Sequence, residues 1–262
     1  MSEKRFSFTL SSYGLKDRHL FNNIAGAYSR KDMLPAHRKA RKLRLEQTIS
    51  AIPISSNVSI LEVGCGAGFS AEYLKGKYKE YHGIDYSAEL INYAIACHME
   101  NGVKFTAINI KDFKTDKRFD VILMIGVLHH LEDVSSMMRH IESFLKPRGW
   151  ILANEPHAGN PLIRSLRAIR KRIDSEYSSD QRELTIPQLL KVYRESKLED
   201  IRIIPQGIFS TPFAEVVMPW QTVTTLLSRW ACRADQVIEK NFGQHLNRVT
   251  WNIIIAGRKP GN

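Results

Sequence analysis

Short apolar runs alternate with amphipathic stretches through the middle of the chain. Five runs predict strands: VSILEV, YHGID, VKFTAINI, FDVILMIGVL and GWILANEP. The intervening segments carry apolar residues at three- and four-residue spacing and predict helices: GFSAEYLKGKY, SAELINYAIACHMENG, capped by Ser87, and VSSMMRHIESFLKPRG, ended by Pro147 and Gly149. This alternation predicts an α/β protein with a doubly wound, mostly parallel sheet and right-handed crossovers.

The flanking segments extend this pattern. PAHRKARKLRLEQTISAI predicts a helix that begins near Pro35, and TIPQLLKVYRESKL predicts one capped by Thr185. EDIRIIPQGIF and TWNIIIAGRKP predict two more strands, separated by a helical insertion at about 212–246 that is broken at Pro219. We therefore predict an N-terminal helical lid (1–55) followed by the α/β domain (56–262).

The first of these helices has two distinct faces. Its apolar positions predict an inward face made of Leu43, Ile49 and Ile52. Its basic positions predict a solvent-facing surface made of Arg38, Lys39, Arg41 and Lys42.

Composition and cysteine usage exclude several protein classes. The 262 residues are 43% hydrophobic and 25% charged, as in ordinary globular domains. No apolar run is long enough to span a membrane, and the charged N-terminus does not resemble a signal peptide. Three scattered cysteines do not form the spacing of a disulfide framework or a zinc site. We expect a cytoplasmic protein, with peripheral membrane contact as one variant.

The net charge of +11 is concentrated in two segments. Residues 1–50 hold 11 basic and 4 acidic residues, and residues 161–172 hold 5 basic residues and no acid. Such local basicity is typical of a surface that faces phosphates, either of nucleic acid or of anionic lipid. A solvated basic helix face is the alternative.

Three glycines at alternate positions follow the first predicted strand, in ILEVGCGAGFS. A backbone without Cβ atoms can approach a bound nucleoside closely, and the helix that follows offers unpaired N–H groups. The spacing is not the G-x-G-x-x-G of dinucleotide sites, because the third glycine comes one residue early. Asp85 ends the second strand, 21 residues after Gly64, where a carboxylate can accept hydrogen bonds from both ribose hydroxyls.

The order E-x-G-x-G-x-G resembles motif I of the class I S-adenosylmethionine-dependent methyltransferases, in particular the type 11 enzymes. VKFTAINIKDF, FDVILMIGVLHHLED and LKPRGWILANEP are similar to later motifs of that family. The resemblance implies a Rossmann-like, seven-stranded sheet whose last strand is antiparallel, and S-adenosylmethionine as cofactor.

The resemblance also implies a set of cofactor-binding residues. Arg44 would meet the cofactor carboxylate, Tyr86 would pack on the adenine, and Asn109 stands where the family usually has an acid. The full set is Tyr28, Arg44, Glu62, Gly64, Cys65, Gly66, Gly68, Asp85, Tyr86, Asn109, Ile110 and Ile125.

Candidate proton acceptors follow the fourth and fifth strands. His129 and His130 lie in GVLHHLED, and Glu155 and His157 follow GWILAN. Imidazole or carboxylate groups beside the methyl position would accept the proton of an acceptor hydroxyl. The alternative is that these residues hold their loops in place. We predict no metal site, because adjacent side chains diverge and no further ligand set is evident.

The acceptor is the least readable feature. The insertion carries a large apolar surface that either packs on the sheet, packs on a partner in a homodimer or contacts a membrane: Val216, Val217, Met218, Trp220, Val223, Leu226, Leu227 and Trp230. We expect a small-molecule or lipid-linked acceptor, methylated on a hydroxyl. The alternatives are an RNA (tRNA) methyltransferase that uses the basic surface at 30–44 and 164–172, and a binder that retains the cofactor fold without activity.

Overall fold

The computed structural model describes residues 26, 31–160, 165 and 183–261. Seven strands form one sheet: β1 (Ser59–Val63), β2 (Glu80–Asp85), β3 (Val103–Ala107), β4 (Phe119–Ile125), β5 (Leu145–Pro156), β6 (Glu199–Gln206) and β7 (Asn252–Arg258). Their order is β3-β2-β1-β4-β5-β7-β6. Strands β1 to β5 pair in parallel with their neighbours in this order, and β7 runs antiparallel to both β5 and β6. The predicted doubly wound sheet with an antiparallel last strand is confirmed.

The described helices flank the sheet: α1 (Pro35–Ser50), α2 (Phe69–Tyr73), α3 (Ala88–His98), α4 (Val134–Glu142), α5 (Ile186–Glu195), α6 (Thr211–Glu215) and α7 (Gln221–Phe242). The predicted caps are present. The Ser87 hydroxyl accepts the N–H of Leu90, and Thr185 forms a reciprocal capping box with Gln188. No helix in the described part of the chain is long and apolar enough to cross a bilayer.

The end of α4 differs from the prediction. The helix stops at Glu142, and the chain enters β5 at Leu145, before Pro147 and Gly149. The reason is that Leu145 already pairs with Phe119 of β4, across an irregularity in the register. Pro147 and Gly149 therefore lie within a strand instead of ending a helix.

Helix α1 is packed into the body of the protein. Leu43, Ile49 and Ile52 are buried as predicted, and Ile49 and Ile52 join the hydrophobic cluster that includes β1. The prediction that Arg41 faces solvent is wrong, because its guanidinium pairs with Asp32 and donates to the Ala214 carbonyl at 3.0 Å. The boundary at residue 55 stays a prediction.

Asn154 joins α1 to the sheet. Its side-chain oxygen accepts from Arg44 Nε at 3.1 Å, and its amide donates to Thr48 Oγ1 at 2.8 Å and to Gln206 Oε1 at 3.0 Å. One buried amide on β5 thus holds two residues of α1 and the last residue of β6. Satisfying a buried amide fully in this way fixes the relative position of the elements that it joins.

The insertion between β6 and β7 is helical and broken before Pro219, as predicted. Two acids of α7 hold the loop that leaves β6. Asp235 accepts the N–H groups of Ile208, Phe209 and Ser210 at 2.9–3.1 Å, and Glu239 accepts that of Gly207 at 2.6 Å. The face of α7 that carries Asp235 therefore points inward.

Candidate active site

The carboxyl ends of β1, β2 and β4 meet where the strand order reverses, since β1 pairs with β2 on one side and β4 on the other. Ligands of doubly wound sheets bind at this edge. The loop that follows β1, residues 64–68, is here called the glycine loop. The N–H groups of Gly64 and Cys65 both donate to the Ile84 carbonyl, at 2.8 and 3.1 Å, which joins the loop to the end of β2.

The glycines are required by both backbone conformation and space. Gly64, Gly66 and Gly68 all have positive φ, at 72°, 52° and 81°. A Cβ on Gly64 would lie 2.6 Å from Val127 Cγ2, and one on Gly68 would lie 2.8 Å from the Ala94 Cβ. The loop therefore packs against α3 and the segment after β4 more closely than any side chain allows.

Glu62 supports this loop from beneath and is buried. Its carboxylate accepts from Ser70 Oγ at 2.8 Å and from the Tyr81 hydroxyl. Burial raises the pKa of Glu62 from its ordinary 4.5 to about 7, despite these two hydrogen bonds. The geometry gives Glu62 contacts with the protein around the loop, and its predicted contact with the cofactor stays a prediction.

Glu62→Gln should make the folded protein more stable relative to wild type as the pH rises, because an ionised carboxylate at this buried position destabilises it. The pKa of this carboxyl is about 7 in the folded state and 4.5 in the unfolded state. Its ionisation therefore does not affect stability below about pH 4.5, and the loss of stability is complete above about pH 7. Glutamine can bond both hydroxyls without ionising. In urea titrations, the stability of the variant relative to wild type should therefore rise by about 3 kcal/mol from acidic pH to about pH 8.

The titration of Glu239 does not affect this comparison. Burial also raises its pKa to about 7, and it is present in both proteins, so its titration cancels in the difference. A difference between Glu62→Gln and wild type that stays constant across the pH range would contradict the prediction.

The Cys65 side chain points into the core. Its sulfur occupies the space beside Gly83 of β2, where a Cβ would lie 2.7 Å from it. Burial raises the pKa of this thiol well above its ordinary value, and the charges of Asp85 and Glu62 add to the effect. The contact that Cys65 can offer a ligand is therefore its backbone.

Asp85 lies at the end of β2 beside the glycine loop. Its two oxygens accept the N–H groups of Gly66 and Ser87, each at 2.9 Å. Burial raises its pKa, and the hydrogen bonds from Ser87 and Gly66 oppose the rise. The backbone N–H of Tyr86 is a third donor to this carboxylate. Because a carboxylate has about four acceptor positions, one is left for a ligand hydroxyl.

The segment after β3 suits a base edge. The side-chain oxygen of Asn109 accepts the N–H of Lys111 at 3.0 Å and has one lone pair left. Among the described residues, none accepts a hydrogen bond from the N–H of Ile110, whose carbonyl accepts from His140 at 3.0 Å. Tyr86, just after β2, and Ile125, at the end of β4, are both half-buried.

The two predicted lid residues have different outcomes. Tyr28 lies outside the described residues. Arg44 contacts Asn154 and forms an ion pair with Glu215 at 2.9 Å, so its guanidinium joins α1 to α6. The contact predicted between Arg44 and the cofactor carboxylate stays a prediction.

Glu155 fixes the turn that carries the two histidines. Its carboxylate is inaccessible to solvent and accepts the N–H groups of Val127 and Leu128 at 2.9 and 2.8 Å. It also lies 2.7 Å from Nδ1 of His129, which is 6% exposed. Burial alone would raise the pKa of Glu155, but the bond from His129 and the two backbone bonds outweigh it and lower the pKa below 4.5. This arrangement favours a positioning role over proton acceptance for Glu155.

The two other candidate histidines, His130 and His157, differ in solvent exposure. His130 is half-buried, with its ring centroid 4.2 Å from that of His129. His157 is buried, and its Nε2 lies 2.7 Å from the Asn247 carbonyl oxygen. Within the described ranges, no three His, Cys, Asp or Glu side chains are grouped to hold a metal ion.

The amino-acid sequence matches the model of a known protein family. Residues 34–201 match the model of a methyltransferase domain, which covers more than half of the chain. The chain belongs to the class I S-adenosylmethionine-dependent methyltransferases. The match begins just before α1, so this family includes α1 in the domain.

Known proteins resemble this chain in sequence or in fold. The ubiquinone biosynthesis O-methyltransferase of Rickettsia canadensis is 33% identical over 113 residues, which are 41% of this chain and 48% of the relative. A methyltransferase of Thermotoga maritima has a TM-score of 0.66 and 19% identity over 92% of this chain and 98% of its own. Phosphoethanolamine N-methyltransferase 2 of Haemonchus contortus, solved with S-adenosylhomocysteine, has a TM-score of 0.58 and 17% identity over 82% of this chain and 52% of its own.

This methyltransferase spans about half the length of the curated relatives that it matches. Its cofactor is S-adenosylmethionine, and the described residues fit that group. The side chains of Cys65 and Ala67 are buried, so the glycine loop offers its backbone. Asp85 keeps one acceptor position, and the segment at Asn109 offers one donor and one acceptor. Sequence reasoning missed Asn154, whose partners come from two distant segments, α1 and β6.

Proposed function

We propose that this methyltransferase methylates a hydroxyl group of a small or lipid-linked acceptor. The observation that carries the proposal is the half-buried His130 imidazole, which follows the carboxyl end of β4 on a turn that Glu155 fixes. The O-methyltransferase name of the Rickettsia canadensis relative supports the same chemical class.

The residues of the cleft would divide the work of binding. The glycine loop and Asp85 would hold the sugar and amino-acid part of the cofactor, and Asn109 and Ile110 would face its base. When bound, the cofactor supplies a methyl group made electrophilic by a positively charged sulfur. Positioning the acceptor oxygen in line with that methyl group and excluding water would provide much of the rate acceleration.

His130 would accept the proton that the hydroxyl loses as the new C–O bond forms. Imidazole changes its protonation near neutral pH, so it suits this role at physiological pH. His129 cannot share the role easily, because its Nδ1 is bonded to Glu155 and it is nearly inaccessible to solvent. The buried pair instead sets the direction in which the next residue points.

The RNA alternative has less support. In the described part of its basic surface, the arginines of α1 are already paired with acids, and 164–172 lies outside the described residues except for Ser165. Such pairing leaves fewer charges for RNA phosphates. The pairs are Arg38 with Glu72, Arg41 with Asp32 and Arg44 with Glu215.

Methyl-labelled S-adenosylmethionine tests the proposal. The purified protein would be incubated with three acceptors in turn: a dihydroxybenzene with an isoprenoid tail, phosphoethanolamine and bulk tRNA. We expect label only in the first, as a methyl ether. An excess of S-adenosylhomocysteine, as the control, should remove it.

Two outcomes would contradict the proposal. Label in phosphoethanolamine or in tRNA would assign a different acceptor class. Calorimetric binding of S-adenosylhomocysteine without label in any acceptor would favour a binder that retains the fold without activity.

A further inference from the structure

The insertion exposes an unusual amount of apolar surface. We call the following residues the α7 apolar face: Val216, Val217, Trp220, Val223, Leu226, Leu227, Trp230 and Val237. Trp220 and Trp230 are 80% and 70% exposed, and Leu226 and Leu227 are 55% and 53% exposed. From Val223 to Trp230 the positions recur at three- and four-residue spacing, and Val237 follows two turns later, so these residues form one stripe along the helix. A contiguous exposed patch of this kind marks an interaction surface.

The outward orientation of this face is fixed by the opposite side of α7. That side carries small and polar residues, which are buried against α1 and the loop after β6: Thr224, Ser228, Ala231, Cys232 and Asp235. Ser228 Oγ donates to the Ala36 carbonyl at 2.8 Å, and Asp235 accepts three backbone N–H groups. Rotating α7 to bury its large apolar side chains would break all these bonds.

The exposed charges of α7 have one sign. Its three basic residues, Arg229, Arg233 and Lys240, are all exposed. Its two acids, Asp235 and Glu239, are instead turned inward onto the loop after β6. At four- and seven-residue spacing, the basic residues run along one edge of the apolar stripe.

Helix α1 adds to this basic edge. Lys39 lines the same surface depression as Arg229 and Arg233, with Glu46 as the acid present there. The whole chain carries a net charge of +11. An apolar stripe with tryptophans and a basic border is the pattern of helices that lie in the headgroup region of anionic membranes.

We propose that the α7 apolar face binds the surface of an anionic lipid bilayer. A second copy of the chain is the weaker alternative, because a two-fold interface would place the same basic edges near each other. A bilayer with acidic headgroups complements both the apolar stripe and its border. This inference does not depend on the acceptor or on methyl transfer.

Vesicle flotation tests the proposal with the protein as it exists. Phosphatidylcholine vesicles with and without phosphatidylglycerol would be mixed with the chain and floated. We expect binding to the vesicles with phosphatidylglycerol, weakened by added salt. The double variant Leu226→Ser/Trp230→Ser should bind at least about tenfold less well to them.

A charge variant and a matched control separate the contributions. Arg229→Gln/Arg233→Gln should lower binding to anionic vesicles by about 30-fold, from roughly a fivefold effect per charge near the surface. Ile95→Ser/Met99→Ser changes two exposed apolar residues in and just after α3 and should bind like wild type. Calorimetric binding of S-adenosylhomocysteine, equal in all variants, would show that each is folded.

Three results would overturn the inference. One is a wild-type chain that does not float with anionic vesicles, and another is a Leu226→Ser/Trp230→Ser variant that floats as well as wild type. The third is a wild-type dimer in light scattering that this variant converts to a monomer without any vesicle binding, which would assign the face to a second copy. Failure of the acceptor assay would leave all these measurements unaffected.

Discussion

Replacing His130 with glutamine should lower kcat for hydroxyl methylation by about 100-fold or more, which is the usual contribution of a positioned general base. Glutamine keeps much of the size of the side chain but cannot accept the proton. Because the residues that would hold the cofactor are unchanged in this variant, affinity for S-adenosylhomocysteine should stay close to wild type. Initial rates with labelled cofactor and calorimetry measure the two quantities separately.

Glu132→Gln is the matched control for this prediction. Glu132 lies two residues further along the same segment, 3.8 Å from Lys111, and its variant should retain the wild-type rate. His129→Gln should instead lower the free energy of unfolding by up to about 3 kcal/mol, because the buried Glu155 carboxylate would lose its contact with the imidazole Nδ1. A wild-type rate in the His130→Gln variant would exclude His130 as the proton acceptor.

Asp85→Asn should weaken the binding of S-adenosylhomocysteine by about 100-fold. The carboxylate accepts the N–H groups of Gly66, Ser87 and Tyr86 and keeps one acceptor position for a ribose hydroxyl. In asparagine, one of the two oxygens becomes an NH₂ group that faces a backbone donor. Losing a hydrogen bond to a charged group, at up to roughly 3 kcal/mol, corresponds to about this change in affinity.

Isothermal calorimetry measures this affinity directly. Asp116→Asn, a change of the same kind at an exposed position, should bind like wild type. If Asp85→Asn bound S-adenosylhomocysteine within about threefold of wild type, the ribose role of Asp85 would have to be abandoned.

The fold could be predicted from the sequence where hydrophobic pattern and burial agree. Strands β1 and β4 are buried on both faces of a parallel sheet and appear as continuous apolar runs. The start of β5 could not be predicted, because Pro147 and Gly149 are typical ends of a helix. Only the pairing of Leu145 with Phe119 shows that they belong to a strand.

The site could be predicted where position along a strand determines it. Asp85 and the glycine loop follow strand ends that must meet at one edge of the sheet. The directions of side chains nearby do not follow from sequence, so the inward orientations of Cys65 and Glu62 required the structure. Asn154 could not be found, because Arg44, its most distant partner, lies 110 residues away in the chain.

The periodicity of α7 predicts an amphipathic helix but not which of its faces is buried. The spacing of its apolar residues predicts an amphipathic helix, and the usual rule would bury the leucines and tryptophans. Asp235 reverses this rule, since a carboxylate that accepts three backbone N–H groups holds the polar side inward. Hydrogen bonding to one loop thus decides which face of the helix is exposed to solvent.

The amides of residues 207–210 depend on Asp235 and Glu239, and this limits how the insertion can be exchanged. Engineers who wish to alter acceptor choice by transplanting this region from a relative would need to move Gly207 to Glu239 as a single cassette. A graft that started at the first turn of α7 would separate the donors from their acceptors. Sequence drift in the loop and in the helix should accordingly be coupled over evolutionary time.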